Sequence, residues 1–120
     1  MRFIVFSIII LTAFVSLAED QTPLKVDTHD QYWAFDRTVP PEYPRKALKE
    51  GLTGYVRVLH TIDKKGRVKD IQVLKSVPSD IFVRPTIKAL KKFRYKPTES
   101  NPDRTPIRTE FVMRFELDQS

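Results

Sequence analysis

Two histidines, His29 and His60, and no cysteine are all this chain offers for metal or thiol chemistry. A nucleophilic or zinc site of the usual kinds needs a thiol, paired imidazoles at fixed spacing, or a serine on a glycine-flanked turn. Neither Gly-x-Ser-x-Gly nor His-Glu-x-x-His occurs, and three glycines in all leave little material for a phosphate-cradling loop. His29 has Asp27 and Asp30 beside it, but the trio lacks metal-ligand spacing and reads as part of a polar arm. His60 stands alone on an apolar face, where a histidine is ordinarily a core residue, so no pH switch is expected of it. These residues point away from catalysis. No enzymatic activity, metal, cofactor or small-molecule substrate is expected.

Recognition remains, and charge narrows it. The formal charge is +6, compatible with phosphate or anionic-lipid surfaces. The bases are scattered through every segment, with no block of like charges, so nucleic-acid binding is not expected. Met1-Arg2 followed by an uncharged run from Phe3 to Ala18 resembles an export signal, and Ser16-Leu17-Ala18 ends it with small residues before Glu19-Asp20. A helix over that run would be about 24 Å long, short of the ~30 Å hydrocarbon core. Residues 1–18 are therefore expected to be a signal peptide directing the chain to the periplasm, an uncleaved inner-membrane anchor being the alternative. Without cysteine there is neither a disulfide nor a lipid attachment point, and stability rests on apolar packing.

The elements that position any binding surface follow from periodicity. Residues 19–42 form an extended N-terminal arm, with Tyr32, Trp33 and Phe35 either docking on the domain or facing a partner. Pro44 opens a short helix carrying Ala47, Leu48 and Leu52, and Gly51 closes it. Gly54 to Ile62 alternates, with Val56, Val58, His60 and Ile62 on one face. Asp63-Lys64-Lys65-Gly66 turns the chain into a second strand from Val68 to Leu74, whose parity is consistent only with a bulge near Asp70. Thr86, Ile87, Ala89, Leu90, Phe93 and Tyr95 predict an amphipathic helix from about Arg84 to Pro97. A polar loop leads to the strongest strand, Ile107 to Leu117, with one apolar and one solvated face. The expected fold is α+β, a two-layer sandwich in α-β-β-α-β order, with two helices on one face of a three-stranded antiparallel sheet.

That order, with the residues at its joints, resembles the C-terminal domain of the TonB family. The matching residues are Tyr43-Pro44, Ala47, Gly51-Leu52-Thr53-Gly54, Val56 and Val58, Asp63, Gly66-Arg67-Val68, Val73 to Ser76, Phe82, Ala89-Leu90, Phe93-Arg94-Tyr95-Lys96-Pro97 and the final alternating strand. The resemblance runs from Tyr43 to about Leu117, within a domain placed at 43–120. No single piece is specific; their order and spacing carry it.

The resemblance implies that the chain binds a TonB-dependent outer-membrane transporter, at its TonB box, or another component of the TonB system. It implies an edge position for the last strand, so that an extended peptide can be added along it. Partner contacts then fall on Pro41, Tyr43 and Pro44 and on Arg108, Glu110, Val112, Arg114 and Glu116 of that strand. A homodimer through the same edge is a further possibility, as is occupation of the peptide site by the arm itself. Only 24 residues separate the expected leader from Tyr43, reaching roughly 80 Å even when extended. An accessory binding protein is therefore expected, against a membrane-anchored mini energy transducer or an envelope structural or self-association module. Pro40-Pro41 removes amide donors just before the motif, which would reshape transporter contact.

Overall fold

The computed structural model describes residues 24–25 and 30–117. The leader expected at 1–18, and with it Asp27 and His29, lies outside the described residues. Among the described residues no helix is long and apolar enough to cross a membrane.

Local chemistry sets the first helix. Pro44 (φ −61°, ψ 138°) stands in extended backbone at the N-cap of α1 (Arg45–Glu50), and its carbonyl accepts the Leu48 N–H at 3.0 Å. Gly51 stops the helix in the left-handed region at φ 65°, its N–H and that of Leu52 closing on the Leu48 and Ala47 carbonyls. The hairpin follows as β3 (Gly54–Ile62) and β4 (Val68–Val77). Asp63 holds its turn by accepting from the Lys65 and Arg67 amides at 2.9 Å each. Gly66, at φ 78°, passes so close to residues 94–97 that a Cβ would lie 2.0 Å from the Tyr95 carbonyl oxygen.

The expected bulge near Asp70 is present: pairing slips between Leu59 and Thr61, and Asp70 sits at φ 52°. A second slip opposite Arg57/Val58 lets the strand run on to Val77. The first bulge puts Val68 and Ile71 together against the core.

The second helix is shorter than its pattern predicts. After a 3-10 turn at Asp80–Phe82, α2 (Val83–Leu90) ends seven residues before Pro97. Arg94–Pro97 is instead a strand, β5, pairing antiparallel with β2 (Trp33–Arg37) from the arm. Tertiary partners decide this: Tyr95 donates its N–H to the Gly66 carbonyl at 2.7 Å on one edge, and β2 takes the other.

The last strand, β6 (Ile107–Phe115), pairs with β3 through nine consecutive residues without a slip. With β1 (Leu24–Lys25) the main sheet runs β1-β6-β3-β4, where β1 is parallel to β6 and the other three strands are antiparallel. Val56, Val58, His60, Ile62, Ile107, Met113 and Phe115 are buried on one sheet face. Ala47 of α1, Leu90 of α2, Phe82 and Trp33 belong to the same core, so both helices and the small β2–β5 sheet cover that face. Trp33 is fully buried, and its Nε1–H donates to the Thr105 carbonyl at 2.9 Å.

Candidate functional site

Two surfaces carry the residues expected to meet a partner: the segment entering α1, and β6. Tyr43 ties them together. Its ring meets Phe82 and Phe115 edge-on, each at 5.7 Å, and Phe82 and Phe115 stack on each other at 4.2 Å. Its hydroxyl donates to the Leu52 carbonyl beyond α1. Desolvation raises the pKa of this phenol above its ordinary value. Pro41, Tyr43 and Pro44 are half-buried. Tyr43 and Pro44 also line an open groove of about 670 Å³ between the two helices, with Leu48, Ile81 and Pro85 as further apolar lining and Arg45, Arg84 and Lys88 as bases. Glu42 forms an exposed ion pair with Lys88 at 3.9 Å, worth little in water.

Along β6 the predicted residues lie on the face away from the helices. Arg108 donates from one Nη to Thr61 Oγ1 on β3 and to the Asp70 carbonyl on β4, both at 2.9 Å. The bulge that turns Asp70 aside therefore supplies Arg108 with an acceptor, and the guanidinium clamps three strands. Glu110 lies 4.0 Å from Arg57 across the strand pair, both half exposed. Val112 is 38% exposed, and Arg114 and Glu116 face solvent. The structure thus groups Tyr43 and Pro44 near the Phe115 end of β6. Arg108 lies seven residues from Phe115, about 24 Å at the rise of a strand.

The backbone of β6 is the chemically capable part. On one side it is fully paired with β3; on the other, β1 covers only Ile107 and Arg108. From Thr109 to Phe115 the outer edge has no strand beside it among the described residues. Alternate residues there direct N–H and C=O groups outward, a template for an added strand. The opposite edge is different: β4 carries two bulges, a left-handed Asp70 and the charges Lys69 and Lys75, the features that discourage edge pairing.

One neighbour of this edge comes from the arm, whose aromatics were expected either to dock on the domain or to face a partner. Phe35 of β2 stacks on Tyr95 at 5.0 Å and meets Phe93 and Phe111 edge-on at 6.1 and 6.2 Å. The signal available was Trp33-x-Phe35, two aromatics on one face of a strand in the arm. Beneath them Tyr95 is buried, and burial first, then the Asp30 carboxylate, pushes its phenol pKa far upward. Among the described residues no group of three or more His, Asp or Glu could hold a metal ion.

Comparison with known proteins agrees with this architecture. The chain is 50% identical over 64 residues to the TonB protein of Pseudomonas aeruginosa, covering 53% of this chain and 19% of that one. It is 33% identical over 57 residues to the Escherichia coli TonB protein, covering 48% of this chain and 24% of that one. It therefore matches under a quarter of the length of either relative. The solution structure of the P. aeruginosa TonB C-terminal domain superposes with a TM-score of 0.63 at 35% identity, over 80% of this chain and 95% of that one. The TonB2 protein of Vibrio anguillarum gives a TM-score of 0.54 at 28% identity, over 82% and 85%. Residues 39–117, from just before the Tyr-Pro turn to just beyond β6, match the Gram-negative bacterial TonB protein C-terminal family, and to that family this chain belongs.

Proposed function

We propose that the chain is a periplasmic accessory binding domain that takes up an extended peptide, the TonB box of an outer-membrane transporter, as an added strand along β6. The observation that carries this reading is the edge from Thr109 to Phe115, which pairs with β3 without a bulge and has no strand on its outer side among the described residues, on a domain of the TonB C-terminal family. Backbone hydrogen bonds would supply affinity, and side chains on the two faces of the edge would supply selectivity. Glu110, Val112 and Arg114 stand beside the incoming strand on the solvated face, and Glu116 lies just beyond the end of β6. Tyr43 and Pro44 lie near the end where that strand would leave the sheet. Arg108 acts in this scheme by holding β6 to β3 and β4.

The test places the modification on the ligand, leaving the protein intact. A TonB-box peptide and a twin methylated at alternate backbone nitrogens are titrated into the protein, with amide shifts followed by NMR. Strand addition predicts shifts at 109–115 and loss of binding when the methylated amides are those facing β6. Equal binding of both peptides would sink the proposal.

A further inference from the structure

Phe35 has the parity of Trp33, so it points inward, toward the core side of its strand. Trp33 is nevertheless fully buried, whereas Phe35 is 40% exposed. Phe111 shows the same discrepancy. It pairs in register with buried Val58 and lies on the core face, yet it is only partly buried, while its neighbours Thr109 and Met113 on that face are buried. The topology accounts for both. β5 has one edge engaged by the β3–β4 turn, through the Tyr95–Gly66 hydrogen bond and the Arg67–Arg94 bridge, so β2 must lie on its other side. That side runs beneath β6, where Phe35 meets Phe111. Both rings face inward where the sheet ends, and among the described residues no strand continues the layer beyond them.

We propose that Phe35 and Phe111 form an aromatic shelf flanking the open edge, and that it selects peptides with a large apolar side chain at the position facing Phe111. The inference rests on the strand-addition reading and deepens it. A strand added along 109–115 directs alternate side chains to the helix side of the sheet, and the one beside Phe111 lands on the two rings. A leucine or phenylalanine there covers aromatic surface now in water; an aspartate is left desolvated without a partner. The next side chains point to the opposite face, beside Val112 and Glu110, where polar residues are tolerated. Phe35 lies outside the family-matched stretch 39–117, whereas Phe111 lies within it.

The experiment uses the full chain and blocked seven-residue peptides of alternating sequence, differing only at the central position as Leu, Phe, Ala or Asp. Affinities are measured for the native protein, Phe35→Ala and Phe35→Leu, with thermal melts showing that each variant is folded. The native protein is expected to prefer Leu or Phe over Ala by roughly fivefold. Phe35→Ala should erase that preference, and Phe35→Leu should restore most of it. Peptides that shift the 109–115 amides but show the same preference with Phe35→Ala would overturn the shelf alone. Absence of any shift at 109–115 would overturn the strand-addition reading, and the shelf with it.

Discussion

At the scale of single residues, the glycines separate two physical demands that sequence alone merges. Gly51 and Gly66 both adopt positive φ, at 65° and 78°. A Cβ on Gly51 would meet nothing within 4 Å, whereas on Gly66 it would strike the Tyr95 carbonyl. Gly51→Ala should therefore lower unfolding stability by about 1 kcal/mol, the left-handed penalty alone. Gly66→Ala adds a backbone collision and should cost about 3 kcal/mol or more, with loss of the Tyr95–Gly66 hydrogen bond. Urea melts of the two variants check this; equal losses would mean that the β5 contact contributes nothing. Turn chemistry of this kind was legible, since Asp63 and Gly66 announce the hairpin. That Gly66 also touches β5 was not, because its partner lies some thirty residues away and leaves no local trace.

Among elements, the hairpin, both helix starts, the bulge at Asp70 and β6 could all be read from alternation and punctuation. The small β2–β5 sheet could not. Phe93 and Tyr95 follow Leu90 at spacings that continue a helical face, yet the chain leaves the helix at Lys91 and pairs with an arm that has no periodic signal of its own. Strand formation there is imposed by pairing on both sides, the situation in which local preference is weakest. Trp33 is the anchor of that pairing. Trp33→Ala removes a fully buried indole and its bond to Thr105, and should cost about 3–5 kcal/mol. Amide exchange should then quicken across 33–37 and 94–97 ahead of β3. Uniform quickening over all strands would show instead that the small sheet and the hairpin unfold as one unit.

At the scale of the whole molecule, the main sheet has one blunted edge and, among the described residues, one open one. Of the residues expected to meet a partner, those on β6 were legible as a solvated face. Which of them flank the open stretch depended on two facts outside their own strand: β1 over Ile107 and Arg108, and the bulge that lends Arg108 its acceptor. The cover supplied by β1 also has a geometric consequence. It makes the open edge a ruler with a fixed end, seven residues from Thr109 to Phe115. At about 3.4 Å per residue this is roughly 24 Å of backbone. Affinity should climb with peptide length from four residues to seven and then level off; a continued rise through nine would mean that β1 yields its place. A ruler of that kind also fixes phase. In the proposed complex a strand that abuts β1 would set each of its side chains against one position along β6, and a shift of one residue in the peptide's sequence would turn its apolar side chains from the aromatic shelf to water.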